Sequence, residues 1–179
     1  MSLYDAAVVE LSTWAPPDAE QEALRTTYLA HLHDHADGLL RTCAPDHLTA
    51  SLLVVNATRD RVLLNLHRRY RIWVQFGGHC EDEDANLAAA ALREGTEESG
   101  LATLTLADSA PAQLSTHEVR CGPIRPSHHL DVRYVAVAAD GAEAVASSES
   151  LEVRWFDCAG LPDGVDEPLR RLIRRAQRM

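Results

Sequence analysis

Glu94, Glu97 and Glu98 stand at i, i+3 and i+4 in the stretch Arg93-Glu94-Gly95-Thr96-Glu97-Glu98-Ser99-Gly100-Leu101. On a helix turning roughly 100° per residue, the three carboxylates fall within roughly 100° of one another and share one side. Like charges so placed repel unless a cation lies among them. Hard carboxylate oxygens suit Mg²⁺ or Mn²⁺, and Mg²⁺ in particular is held by a few carboxylates together with substrate phosphates and water. Ahead of them, Gly77-Gly78 opens backbone positions closed to other residues and lets a carbonyl approach a metal. The stretch therefore reads as a site for a divalent cation and a phosphate. The competing interpretation is a solvated acidic helix face, the common explanation of an isolated E-x-x-E-E.

The order of residues from Gly77 to Leu101 decides between the two. It resembles the signature of the Nudix hydrolases, G-x5-E-x7-R-E-U-x-E-E-x-G-U with U an apolar aliphatic residue. Arg93, Glu94, Glu97, Glu98, Gly100 and Leu101 fall on R, E, E, E, G and U. Two departures are visible. Counted from Gly78, the acidic position is Asp84 instead of Glu, and eight residues instead of seven separate it from Arg93. The first U is Gly95, which costs about 1 kcal/mol of helix propensity relative to Ala and is explained if the helix lies close against a sheet.

The resemblance implies an α/β fold, a Nudix-type α/β/α sandwich around a mixed β-sheet. It implies a metal set of Glu94, Glu97, Glu98 and the Gly78 carbonyl, loaded with Mg²⁺ or Mn²⁺. A catalytic set of Glu94, Glu97, Arg93 and Glu149 follows in the same way. In that set one carboxylate, either on the helix or Glu149 from a later segment, serves as general base, and Arg93 orients. The implied reaction is hydrolysis of a nucleoside diphosphate linked to another moiety, X. Family members take nucleoside triphosphates, nucleotide sugars, dinucleotides or capped RNA ends, and no submotif here selects among them. A nucleotide-sensing or interaction module without turnover is the alternative. An isopentenyl diphosphate isomerase is disfavoured, because the REx2EE core is intact.

The elements that must position these groups are legible in outline. Residues 18–43 carry Leu24, Tyr28, Leu32, Ala36, Leu39 and Leu40 at three- and four-residue steps after Pro16-Pro17, which predicts an amphipathic helix or helix pair ended by Pro45. Residues 48–56 and 61–67 are short apolar runs around Thr58-Arg59-Asp60 and predict a β-hairpin with a four- or five-residue turn. Residues 73–76 lead into the glycines. The carboxylate helix should run over 86–99, with Asp84 or Asn86 as N-cap and Gly100 at C′. Opposite its carboxylates, Ala88, Leu92, Gly95 and Ser99 form a small-residue stripe fit to lie on a sheet. Strands are predicted over 114–120, 131–138 and 151–156, and a terminal helix over 167–178. Interleaved strands and helices favour an α/β layered domain. Residues 1–44 read as an N-terminal helical extension packed on the core or forming an oligomer contact, and residues 45–179 as the hydrolase domain. A homodimer is compatible with this organisation.

At 179 residues the chain is long enough for one domain with a substantial core. Its net charge of −10 disfavours broad nucleic-acid binding but is compatible with a nucleotide-sized anion bound through a metal. All seventeen basic residues are Arg, which excludes a Walker-type P-loop and Lys-based Schiff-base chemistry. Cys43, Cys80, Cys121 and Cys158 are too widely spaced for a C-x-x-C pair and read as free thiols in a reducing cytoplasm. Asp5 and Glu10 near the N-terminus argue against a secretory signal, and no run of about 18 apolar residues suggests a membrane span.

Secondary readings surround the box. His31, His33 and His35 alternate along a helical stretch and scatter around its axis. A strand would place His129 and Asp131 on one side, as a metal or substrate contact or as an ordinary polar turn after His128. Cys80 has no basic partner nearby in sequence to activate it as a nucleophile. Arg170, Arg171, Arg174, Arg175 and Arg178 can meet an anionic partner or complement the negative end of their own helix. Trp73, Phe76 and Trp155 can stack on a base, but core packing is expected for at least two of them.

Overall fold

A computed structural model describes residues 1–121, 123–148 and 150–179. Two N-terminal helices, α1 (Leu3–Thr13) and α2 (Ala19–Asp34), precede the first strand. Ser2 and Asp18 cap them, each side chain accepting a backbone N–H three residues on. The strand region then begins: β1 (His47–Val55), β2 (Arg61–His67), β3 (Trp73–Val74) and β4 (Phe76–His79). After helix α3 (Leu87–Ser99) come β5 (Leu104–Leu106), β6 (Gln113–Val119), β7 (Ser127–Ala138) and β8 (Ser150–Asp157), and α4 (Glu167–Ala176) closes the fold. The hairpin, the carboxylate helix, the three later strands and the terminal helix stand where periodicity predicts them. The short β5 is an addition, and α1 falls within the stretch 1–44 read as a helical extension without bounds of its own. Helix α2 ends at Asp34, before the predicted limit at residue 43, and its cap at His35 is extended. Residues beyond that cap form turns ahead of β1.

The eight strands form one mixed sheet. At its centre β1 and β7 run parallel, in register from His47↔His129 to Val55↔Val137. Each central strand is long enough to serve two neighbours along its outer edge. The first half of β1 pairs with β4, from Thr49↔His79 to Leu52↔Phe76, and its end pairs with β2. The first half of β7 pairs with β6, through His117↔His129, and its end pairs with β5. The sheet therefore divides into a β4-β1-β7-β6 half and a half extended by β2, β8 and β3 on one side and β5 on the other.

Alternation along β1 assigns the two faces. Leu48, Ala50, Leu52 and Val54 join α1, α2 and α3 in one core, while Leu53 and Val55 meet Leu169, Leu172, Ile173 and Ala176 of α4 in the other. The result is an α/β/α sandwich. Helices α1 and α2 are tied to the sheet by polar contacts as well as by burial. Gln21 donates to the carbonyl of Leu114 at 3.0 Å and accepts its N–H at 2.6 Å, so a side-chain amide completes the outer edge of β6. The Tyr134 hydroxyl donates to Glu10 at 2.6 Å.

Gly95 sets how closely α3 approaches the sheet. A Cβ built there would lie 2.4 Å from Leu52 Cδ2 and 3.1 Å from Leu52 Cβ, and Leu52 is fully buried in β1. This contact accounts for glycine at the apolar position of the box. Gly95→Val should therefore destabilise the fold by about 1–3 kcal/mol through overpacking. The change should appear in urea unfolding as a lower midpoint at unchanged slope. An unchanged or higher midpoint would show that the close approach does not require glycine.

Candidate active site

Helix α3 is built locally. Asn86, the N-cap, accepts the N–H of Ala89 at 2.8 Å, and Gly100 ends the helix in the left-handed region at φ 68°. Of the two predicted N-caps, Asn86 takes the position. Asp84 is freed for a different task.

That task is to hold Arg93. The Arg93 guanidinium donates from Nε and Nη2 to the two Asp84 oxygens, each at 3.0 Å, in a bidentate pair. Nη2 also donates to the His79 carbonyl at 2.9 Å, and Nη1 to Glu94 Oε1 at 3.0 Å. Two further carboxylates lie just beyond, Glu97 at 3.6 Å and Glu81 at 3.7 Å from Nη1. Asp84, and after it Glu94, hold the guanidinium protonated even more firmly than an ordinary arginine, against the opposing effect of burial. Asp84 in turn accepts the Glu81 N–H at 2.8 Å, which fixes the loop between the glycines and the helix. A shorter acid on a longer loop thus still reaches the arginine.

The glycine pair is shaped by the same helix. A Cβ on Gly78 would lie 2.7 Å from the carboxylate of Glu94. One on Gly77, at φ 154°, would lie 2.3 Å from Ser51 Oγ and 2.7 Å from Ser51 Cα. No side chain fits either position without displacement. The Gly77 N–H donates to Glu98 Oε2 at 2.9 Å, so Glu98, only 9% exposed, is anchored on the strand it faces. Glu94, Glu98, Arg93 and Gly78 are therefore brought together. Glu97 stands at the rim with its side chain 61% exposed, beside a shallow depression of about 400 Å³ that Leu92, Thr96, Thr103 and Leu104 help to line. Glu149 lies outside the described residues.

Among the described residues, five carboxylates (Glu81, Asp84, Glu94, Glu97 and Glu98) gather around the Arg93 guanidinium and the glycine loop. Arg93 cannot balance that charge alone. The excess of hard anionic oxygens beside a backbone held open by Gly78 fits a divalent cation.

Below the glycine loop lies a polar floor that sequence reading did not anticipate. Asp131 accepts from Thr49 Oγ1 at 3.1 Å, Ser51 Oγ at 2.7 Å, Gln75 Nε2 at 3.3 Å and Arg133 Nε at 2.8 Å. Burial opposes ionisation of this fully enclosed carboxyl, yet Arg133, His117 and the Ser51 hydroxyl together hold it below the usual carboxylate range. The alternation His129-x-Asp131 signalled one strand face, and Arg133 continues it. The donors from β1 were not visible in it.

Other sequence candidates take ordinary places. Cys80 is buried, and desolvation pushes its thiol up to about 12, which removes it as a nucleophile. His128 pairs with Asp46 at 3.0 Å. Phe76 is fully buried, and Trp73 and Trp155 each pack partly buried against a core, so the aromatics are structural. In the terminal cluster, Arg171 binds Glu20 of α2 and Arg174 binds Glu167 of its own helix. No helix among the described residues is long and apolar enough to cross a membrane.

Comparison with known proteins agrees with this geometry. The family model of the NUDIX domain matches residues 45–176. Among solved structures, the chain is similar to a NUDIX-family hydrolase from Clostridium perfringens, with 23% identity and TM-score 0.58, covering 74% of this chain and 94% of that one. A MutT NUDIX hydrolase from Burkholderia pseudomallei follows at 19% identity and TM-score 0.57, covering 73% and 98%. The dihydroneopterin triphosphate pyrophosphohydrolase of E. coli has 17% identity and TM-score 0.57, covering 72% and 92%. Among curated proteins, nothing matches the chain.

Proposed function

The chain belongs to the Nudix hydrolase family, and from that premise we propose that it is a Mg²⁺- or Mn²⁺-dependent pyrophosphohydrolase that splits a nucleoside diphosphate linked to another moiety. The observation that carries this reading is the convergence of Glu94 and Glu98 on Gly77-Gly78, with Arg93 set among the carboxylates of Glu81, Asp84, Glu94 and Glu97. Glu94, Glu97, Glu98 and the Gly78 carbonyl are the groups that would hold the cation. When bound, it supplies neutralisation of phosphate charge and a more acidic water.

The chain's own residues do the positioning. Arg93 ties Glu94 to Asp84 and to the His79 carbonyl, so the helix carboxylates and the glycine loop keep one geometry. The Gly77 N–H fixes one oxygen of Glu98 against the glycine loop. Glu97, exposed at the rim, can accept a proton from an attacking water, and Glu149 is the second choice for that role. On this reading residues 45–179 form the hydrolase domain and residues 1–44 an extension of it. The free thiols of Cys43, Cys80, Cys121 and Cys158 support a reducing, cytoplasmic setting.

Proteins of this fold with named substrates act on nucleotide derivatives: the Ap4A hydrolase of C. elegans, the ADP-ribose pyrophosphatase of Streptococcus suis and the E. coli dihydroneopterin triphosphate enzyme. They define the library for the test. Nucleoside triphosphates, dinucleoside polyphosphates, nucleoside diphosphate sugars and ADP-ribose should be incubated with the protein and Mg²⁺ or Mn²⁺, and products followed by mass spectrometry. Cleavage of an anhydride bond in at least one compound, abolished by EDTA, is the expected result. Binding without product across the library would make the chain a nucleotide-sensing module instead.

A further inference from the structure

Four histidines line up across the β4-β1-β7-β6 half of the sheet. His129 is the direct cross-strand partner of both His47 and His117, and His79 sits two register positions along β1, opposite Thr49 and so on the same face. Cross-strand partners share a face. The rings of His47, His79 and His129 form a nearly equilateral triangle, with centroids 5.1, 5.0 and 5.2 Å apart. Cys121, in the segment after β6, brings its Sγ to 3.7 Å from His79 Nε2. One ligand-capable atom from each of His47, His79, His129 and Cys121 lies within 4.8 Å of all the others.

The hydrogen bonding of these rings points the same way. His47 is 2% exposed, and its Nδ1 faces the Cys43 carbonyl at 3.1 Å. A carbonyl only accepts, so Nδ1 carries the proton and Nε2 keeps its lone pair. Among the described residues, neither His47 Nε2 nor His129 Nε2 has a hydrogen-bond partner, although both atoms are buried. Two buried nitrogens in one cluster have thus lost water without gaining a partner, where protein interiors normally satisfy such groups. A carbonyl orienting the far nitrogen of an imidazole is the usual second contact of a metal-bound histidine.

We propose that His47, His79, His129 and Cys121 form a zinc site, separate from the carboxylate cluster of α3 and serving to staple the sheet beside it. Three imidazoles and a thiolate suit Zn²⁺ and not Mg²⁺, which takes oxygen ligands. Zinc–nitrogen bonds of about 2.0–2.1 Å place tetrahedral donors about 3.3 Å apart, within reach of side-chain rotation from the separations present. Four protein donors close the shell, so the ion is structural. It joins β1, β4, β7 and the Cys121 segment. His79 also lends its carbonyl to Arg93, so the staple steadies the glycine loop.

The test is metal content, which does not depend on turnover. Tag-free protein purified without chelators should carry one zinc per chain by elemental analysis. Replacing zinc with Co²⁺ should give the thiolate-to-cobalt charge-transfer band and the intense visible bands of tetrahedral cobalt. Cys121→Ser should lose the charge-transfer band, and His129→Asn most of the bound metal. Glu98→Gln, which alters only the α3 cluster, should keep both zinc and spectrum. Wild-type protein that neither contains zinc nor binds Co²⁺ with a thiolate band would overturn the proposal, and that outcome needs no variant to fold. A band that persists in Cys121→Ser, or zinc lost with Glu98→Gln, would also overturn it.

Discussion

Glu98→Gln should lower metal-dependent turnover by about 10²–10⁴-fold, the range for loss of a positioned electrostatic or acid–base group, while leaving the fold intact. The glutamine can still accept the Gly77 N–H through its side-chain oxygen, so the contact at 2.9 Å survives. What changes is charge. Glu98 is 9% exposed and joins a cluster in which, among the described residues, the Arg93 guanidinium already faces the carboxylates of Glu81, Asp84, Glu94 and Glu97. Removing one negative charge weakens cation binding and relieves repulsion without the cation. Thermal unfolding in EDTA should therefore be no lower than wild type, while initial rates on a confirmed substrate collapse. A wild-type rate in this variant, at saturating Mg²⁺, would remove the α3 cluster from the reaction.

Arg133→Met should destabilise the protein by about 3–5 kcal/mol, the cost of removing one partner from a buried ion pair. Arg133 and Asp131 are 5% and 1% exposed at the side chain and meet at 2.8 Å. Thr49, Ser51 and Gln75 still donate to Asp131 in the variant, but none carries the compensating charge. For a domain of this size the loss corresponds to a fall in Tm of about 6–20 °C. Adding Asp131→Asn should recover much of it, because the amide carries no charge to leave uncompensated while its oxygen still accepts from the Thr49 and Ser51 hydroxyls. A single variant as stable as wild type would show that the polar floor is solvated, and a double variant as unstable as the single would show that the cost comes from packing instead of charge.

Legibility from sequence followed the range of the interaction. The N-cap at Asn86, the left-handed Gly100 and the hairpin around Thr58-Arg59-Asp60 are decided within a few residues, and they stand where the sequence places them. Helix α1 lies inside the stretch read only as a helical extension over residues 1–44, without bounds of its own, although its buried Leu3, Ala6, Ala7 and Leu11 keep helical spacing. The end of α2 at Asp34 escaped prediction because the apolar periodicity continues through Leu39 and Leu40, which enter the chain's turns instead. Asp84 and Asn86 both read as N-cap, and the bidentate contact of Asp84 with Arg93 leaves the cap to Asn86.

By itself the sequence determined the family, the helix that carries Glu94, Glu97 and Glu98, and the need for glycine before it. Each rests on spacing along one helix or one turn, where the backbone alone fixes which side chains are neighbours. The tertiary structure decided how Asp131 is neutralised, why Gly95 replaces an apolar residue, and that His47, His79, His129 and Cys121 meet. Those depend on strand register and on the distance between layers. Register is set by which apolar faces bury together across the whole sheet, so a shift of one residue would turn each histidine to the opposite face.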